Sequence, residues 1–465
     1  MKKKILLLIA SLSCTDQYAS YPPSIFVPRQ LSYNPILENA LSANRIMHHE
    51  PWTYGVDIKP LYSQSTGTTF DSYFSMNRQK YMNVREDNLG LINSLWFKVV
   101  SSNPTFYNST ISFEPTRKTF GALLYAIIMF PYQLALTIDT ALVTAKNSVG
   151  FQEQGIQNLG TTEYVTVSQS LAAGSRYYGR VVKSESKTGL DDIQIKIIRY
   201  FQPCACSAFN IYALLGIPTG AGAKSKVLFE PLVGSKHVQL GLGAYYAHDL
   251  GYKGHNEFSF VSELKWRYAF SAKERRLFDI TENGPWSRFM LLVQESNKYA
   301  PFFASNALGL QVSVTPKNSL DLYLALHIKR DQWRFDVGYD FWFRSQEHIA
   351  LSSLSLPNNL GIADLLGITA FNPQSASTAT ISQGVAYNAN QMVSDTTFIA
   401  LTSSDLNVTS AQAPRSLSNS LYTSLAYVYD GSWLSKIGLN VAYEVGTNNN
   451  VPNNVTAWLT AEAAF

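Results

Sequence analysis

Charge is scarce in this chain. Asp, Glu, Lys and Arg make up 15% of its 465 residues, against roughly a quarter in average soluble proteins. Cysteine is scarcer still, with three residues in all, too few for a disulfide framework. No excess of one sign exists either. There are 37 basic and 33 acidic residues, and without Lys2, Lys3 and Lys4 the balance is 34 against 33. A near-neutral chain carries no electrostatic footprint for nucleic acid. A mean hydropathy of -0.06 argues against a bundle of transmembrane helices, which would lie well above zero. Catalytic signatures are missing as well. The chain has no G-x-S-x-G elbow and no H-E-x-x-H helix. GIPTGAGAKS at 216–225 fails the phosphate-loop register, because Ala223 separates Gly222 from Lys224. His48-His49-Glu50 is a poor metal site, since adjacent residues on an extended chain point apart. No cofactor and no enzymatic activity are expected.

Aromatic residues fill the space that charge leaves. Tyr, Phe and Trp number 27, 25 and 8, or 13% of the chain, which excludes a disordered polymer. The start of the chain sets the compartment. Lys2-Lys3-Lys4 precedes a short apolar run from Ile5 to Leu12, with Ser11 and Ser13 as small residues before Cys14. This is a secretory leader over 1–13, too short to cross a bilayer as a helix. Lipidation at Cys14 is the alternative, and Ser11 disfavours it where a branched aliphatic residue is wanted. Cys204-Ala205-Cys206 sits between two strand patterns, a turn whose two thiols are close enough in sequence to oxidise together.

Period-two alternation is the dominant signal. In 331–344, Trp333, Phe335, Val337, Tyr339, Phe341 and Phe343 share one face, opposite Arg334, Asp336, Asp340 and Arg344. In 257–270, Phe258, Phe260, Leu264, Trp266 and Tyr268 oppose Glu263, Lys265 and Arg267. Leu320 to Ile328, Ile437 to Val445 and the terminal run Val455 to Phe465 behave alike. These segments have the length of a tilted bilayer-crossing strand, and several carry rings near their ends. A soluble sandwich also alternates, but the leader and the strand length favour an apolar face on lipid and a polar face on a lumen.

The fold expected is all-β: a transmembrane antiparallel up-and-down barrel of about 16 strands, with 14 as the next count. The strands fall near 52–62, 71–81, 91–100, 118–129, 133–144, 189–201, 207–217, 236–249, 256–270, 288–297, 306–315, 319–328, 332–344, 419–430, 434–445 and 455–465. With the C-terminus in the periplasm, the connections there are short, such as Phe130–Tyr132 and Lys329–Asp331. The outer connections are long, notably near 145–188 and 345–418, as in outer-membrane barrels. Pro316-Lys317-Asn318 breaks this rule by being short on the outer side, and marks a possible miscounted strand. The uncharged stretch 120–138 has the length of a membrane helix, but Pro131 divides it into two strands. Residues 14–51 form a periplasmic segment or a plug, and 52–465 the barrel.

Function is then sought in the lumen. Glu263, Lys265, Arg267, Asp321, Arg334, Asp336, Asp340 and Arg344 face it by phase, joined by Asp57, Lys59, Asp139 and Lys196. Mixed charges there can brace the wall by pairing, or select solutes. TGLDDIQIKIIRYF (188–201) followed by NIYALLGIPTG (210–220) resembles the outer-membrane transporter family linked to meta-pathway phenol degradation and, more distantly, the fatty-acid transporter FadL family. Their Gly-x-Gly-Asp strand start has Asp191 in place of the second Gly here, and Ile217-Pro218-Thr219-Gly220 matches their Leu-Pro-x-Gly loosely. The terminal strand ending in Phe465 resembles the signal read by the barrel-assembly machinery. The resemblance implies a pore or passive transporter for small solutes in the cell outer membrane, surrounded by its lipid. The rival is a structural or host-contact barrel with a plugged lumen, and a rim hydrolase with a Ser–His pair is a third option without a supporting motif.

Overall fold

The computed structural model describes residues 21–39, 54–429 and 434–464, without 69, 86–89, 98–106, 158–164, 205, 352–355, 357–358, 364, 367–369, 372–378, 384–399 and 448–449. The leader, Cys14, His48-His49-Glu50 and Phe465 fall outside these residues.

Twelve strands close into a ring. They are β1 (Tyr54–Thr66), β2 (Thr116–Phe130), β3 (Leu134–Ser148), β4 (Ile193–Cys204), β5 (Ser207–Ile217), β6 (Gln239–Lys253), β7 (Asn256–Ala269), β8 (Lys317–Arg330), β9 (Trp333–Arg344), β10 (Ser416–Val428), β11 (Leu434–Gly446) and β12 (Asn453–Ala464). Each pairs antiparallel with its neighbours in sequence, and β12 returns to β1 through pairs such as Ile58↔Ala461. Closure leaves no edge strand in the ring, the condition for backbone N–H and C=O groups to sit in hydrocarbon.

The side chains are arranged inside out relative to a soluble sandwich. Leu242 is 60% exposed and Leu421 is 64% exposed on the outer face, while Lys265 and Asp321 are 0% exposed on the inner one. A soluble sheet packs its apolar face and wets the other. Here alternation puts oil-compatible side chains outside and gathers the buried charges inside, on strands such as β7, β8 and β9, so the chain is a transmembrane barrel of the outer-membrane type. No helix among the described residues is long and apolar enough to cross a membrane. The stretch 120–138 is β2 and β3, turned at Pro131-Tyr132-Gln133, where Tyr132 and Gln133 take left-handed backbone (φ 64° and 60°).

Sixteen strands is an overcount, and so is fourteen. The segments at 71–81, 91–100, 288–297 and 306–315 belong to a cap instead. Residues 76–78, 94–97 and 287–289 are short 3-10 turns, and Leu291–Gln294 and Gly309–Thr315 pair within small sheets of their own. The physical difference is burial on both faces. Leu291, Leu292 and Val293 are consecutive and all buried, which a lipid-facing strand never shows. With Trp96, Phe97, Trp286, Phe289 and Met290 they form one hydrophobic core built from the long connections. Pro316-Lys317-Asn318 accordingly ends one long connection, 270–316, rather than joining two wall strands.

The connections segregate by length. At one mouth they are 131–133, 205–206, 254–255, 331–332 and 429–433; at the other they are 67–115, 149–192, 218–238, 270–316 and 345–415, with 447–452 the one short member. The ring has one irregularity. The lower half of β3 pairs with β4, and its upper half pairs with a separate strand, Glu185–Leu190. Asp191-Asp192 makes the step between them, and among the described residues the far edge of Glu185–Leu190 has no ladder partner.

Arginine in place of Leu421 puts a charge into lipid at mid-strand and is expected to cost about 2–4 kcal/mol in reversible unfolding from vesicles. Leu292→Ala is expected to cost a similar amount in the cap, while the heat-dependent gel mobility of the barrel stays unchanged. Loss of that mobility in the Leu292 variant would place 288–297 in the wall.

Candidate functional site

Part of the chain's own N-terminal segment lies inside the barrel, bonded to inward-facing wall residues. Residues 21–39 begin at the cap, where Ser24 N–H donates to Ser410 O at 2.8 Å and Arg288 donates to Pro22 O at 2.5 Å. They then descend between the strands. Arg29 sits at the upper level, with one guanidinium nitrogen 2.5 Å from Asp340 and another 2.5 Å from Asp321. Arg267 reaches the other oxygen of Asp321 at 2.8 Å, so one carboxylate joins the wall to the plug. The Arg267 guanidinium also lies 4.4 Å from the ring centroid of Tyr33, a cation–π contact on the same segment.

Lower down, Ser32 N–H donates to Asp191 at 3.0 Å and Gln30 donates to Asp192 at 2.9 Å. Asp192 also takes the Ser235 N–H at 2.7 Å and so ties the wall step to the 218–238 connection. A short helix, Pro35–Asn39, follows. Its Glu38 pairs with Lys265 at 2.7 Å and with Lys196, and its Asn39 donates to Glu263, which also accepts from Tyr212. Lys59 donates to the carbonyls of Leu37 at 2.6 Å and Glu38 at 3.0 Å. Ile36 and Leu37 pack on Leu61, Val143 and Tyr245.

The predicted lumen residues therefore separate into sets. Asp321 and Asp340 hold Arg29, Arg267 braces Asp321 and stacks on Tyr33, and Glu263, Lys265 and Lys196 hold the Pro35–Asn39 helix. Arg344 donates to Val27 O at 2.8 Å and to Ser416 Oγ at 3.0 Å. Asp336 lies within 2.6 Å of His327 Nδ1, Asp57 within 3.7 Å of Lys59, and Asp139 accepts from Gln194 at 2.8 Å. Arg334 joins neither set. It is half-buried at the short-turn mouth and contacts the carbonyls of Asp331 and Trp333. Arg29, Gln30, Glu38 and Asp192 complete the lumen and were not foreseen from the sequence. Lone polar residues in a stretch without periodicity carry no phase from which to assign a face.

Above the plug, beneath the cap, lies a cavity of about 180 Å³. Phe26, Tyr33 and Trp342 give it apolar surface, and Arg117, Arg344 and Glu444 line it without an ion-pair partner among the described residues. Arg117 donates to Asn147 and Leu232 O, while Glu444 accepts from Ser418 and Asn454. The cavity abuts the wall step, where Asp191 and residues 221–223 and 232–235 form its side. A second space of about 50 Å³ lies beside Glu38 and Tyr212 near the other mouth.

One ionic cluster joins cap and barrel. His237 Nε2 lies 3.2 Å from Glu274, and Arg276 bridges Glu274 at 2.5 Å and Glu347 at 3.1 Å. The other ring nitrogen of His237 lies 2.7 Å from Phe270 O. A carbonyl only accepts, so both ring nitrogens donate and the imidazolium is favoured. Burial alone would lower the His237 pKa, but the hydrogen bond and charge of Glu274 outweigh it and raise it. Burial would raise Glu274, yet Arg276 and His237 hold it at about 2.

Neither a protein-family model nor a curated protein matches the chain. Several solved barrels are similar in structure. An outer-membrane channel from Pseudomonas putida F1 is 9% identical, with 90% of this chain and 97% of that one covered and a TM-score of 0.40. The CymD monoaromatic hydrocarbon channel is 8% identical, with 94% of each chain covered and a TM-score of 0.29. The Pseudomonas putida toluene transporter TodX is 7% identical, with 96% and 98% covered and a TM-score of 0.27. Likenesses this distant carry no argument about function, which rests on the geometry above.

Arg29→Ala leaves Asp340 buried without its cation, a loss of about 3–5 kcal/mol for a buried pair. The expected outcome is fast amide exchange over residues 21–39 with the barrel ladder still protected, and Asp340→Asn in the same chain restores part of the protection. The His237 contribution has a defined sign. Because its folded pKa is raised, the contribution is complete below about pH 6.5 and is lost as pH rises through the folded value. Thermal unfolding of the cap, followed by near-UV circular dichroism, is expected to fall over that window in the natural chain and to stay flat in His237→Ala.

Proposed function

We propose that the chain is an outer-membrane transporter of small solutes whose lumen is held shut by residues 21–39. The observation that carries this reading is the cavity under the cap, floored by the plug and lined in part by Arg117, Arg344 and Glu444, which make no ion pair among the described residues. A barrel serving only as a scaffold has no need of guanidinium groups that face a cavity outside any close ion pair, since poorly compensated charge away from water is costly. A void comparable in size admits benzene in an apolar protein core, so the solute is of that order. Trp342, Phe26 and Tyr33 suit an apolar body, and Arg117 and Arg344 suit a negative end.

Movement is passive. Solute enters beneath the cap, rests on the plug and passes when the Arg29 and Glu38 contacts yield or when the wall step parts. The lumen charges then have two tasks. Asp321, Asp340, Glu263 and Lys265 hold the gate, and Arg344 together with Arg117 sets sign preference. The reading includes removal of the leader before Cys14 and recognition of β12, through Phe465, by the assembly machinery.

Planar-bilayer recording tests it. The natural protein is expected to pass little current, whereas Arg29→Ala combined with Glu38→Gln opens steady conductance with a preference for anions. Arg117→Gln in that background reduces the anion preference. Silence in the double variant, with residues 21–39 shown to exchange freely, would move the function to the outer surface of the cap.

A further inference from the structure

The β4–β5 turn carries two cysteines for which transport has no use. Cys204 ends β4 and Cys206 immediately precedes β5, with one residue between them. Both are exposed, and their Sγ atoms stand 2.6 Å apart. A covalent S–S bond is about 2.05 Å long, so closure needs a displacement of about half an ångström. Cys204 pairs across the hairpin with Ser207, and the register slips between Ser207 and Phe209. The base of the turn is pinned from β6, where His248 Nδ1 lies 2.7 Å from Ser207 Oγ. Both mouths of an outer-membrane barrel lie outside the cytosol, so the thiols meet oxidising surroundings whichever way the barrel points.

We propose that Cys204 and Cys206 are a reversible dithiol–disulfide couple, oxidised by exchange with a disulfide-bearing oxidoreductase of the periplasm. The thiolate of one cysteine attacks the donor disulfide, forming a mixed disulfide and releasing one donor sulfur as a thiolate. The second cysteine then displaces the remaining donor sulfur. The chain loses two electrons and its two thiol protons, and the donor leaves as a dithiol that has gained both electrons and two protons. A ring spanning one intervening residue ties down little chain, so its use is chemical rather than structural. An exposed bond of this kind is open to attack by other thiols. The inference rests on the outer-membrane location and not on the transport reading.

Differential alkylation of the full-length protein tests it. Cells are quenched in acid, free thiols are blocked with N-ethylmaleimide, and reduction is followed by iodoacetamide. The tryptic peptide 200–224 contains both cysteines. Most copies are expected to carry two iodoacetamide labels and, before reduction, to be two hydrogens lighter than the dithiol. Glutathione in excess should convert most of them to the dithiol. In Cys204→Ser, the remaining thiol is expected to take up oxidised glutathione and to trap a periplasmic donor covalently. Two N-ethylmaleimide labels in quenched cells, a bond to any other peptide, or a disulfide that excess glutathione leaves closed would each overturn the proposal. The double serine variant should keep the natural heat-dependent mobility; its loss would make the pair a structural staple and defeat the exchange reading.

Discussion

Every other feature depends on the closed ladder of backbone hydrogen bonds. In hydrocarbon an unpaired amide or carbonyl costs several kcal/mol, so the wall must return to its own first strand. β12 does so by pairing with β1 along most of its length. Once the ring is closed, the two-residue repeat of a strand assigns each side chain to lipid or to lumen without further choice. Twelve strands enclose a narrow interior, and the inward faces carry both signs of charge at close quarters. The place where the ladder is shared between β4 and Glu185–Leu190 is therefore the weak point of the wall, and the cavity lies against it.

Several interior charges find their partners on the segment that precedes the first wall strand. Arg29 and Glu38 bring a cation to Asp321 and Asp340, and an anion to Lys196 and Lys265. Without them, among the described residues, Asp340 loses its ion-pair partner, Asp321 keeps only Arg267, and Lys196 and Lys265 have only Glu263 nearby. Part of the wall is braced through this segment, and part by wall-to-wall pairs such as His327 with Asp336 and Arg267 with Asp321. Arg117, Arg344 and Glu444 stand apart from these ion pairs and face the cavity, with Arg344 tied to the segment only through Val27 O. The cap acts from the other side: Arg288 and Ser410 fix the start of the plug, and His237, Glu274, Arg276 and Glu347 fix the cap to the rim.

The wall strands were legible because lipid imposes a rule that composition obeys. Leu242 and Leu421 lie on outward phases, and Lys265 and Asp321 on inward ones, as alternation requires. All twelve wall strands fall among the segments read from the sequence. The four surplus segments were misread for a physical reason: a short apolar run buried on both faces in a cap and an alternating one in a wall are alike over a few residues. Leu291-Leu292-Val293 is such a run. Connection length held the correction, since a short outer link at Pro316 is at odds with a barrel whose outer links are long. The lumen residues were legible by phase, but their partners were not. Arg29 and Glu38 lie in a stretch with no period, and no local pattern ties them to strands more than a hundred residues away.

Local pattern was enough to establish the all-β class, the inside-out faces, the division of 120–138 into two strands at Pro131 and the short-turn and long-loop mouths, because each follows from chain geometry over a few residues. Strand number, the cap, the choice between plug and periplasmic segment for the N-terminal stretch, and the pairing of the lumen charges depended on the folded chain. They depend on contacts between distant segments: the cap core gathers side chains from five connections, and the lumen is completed by residues that precede the first wall strand.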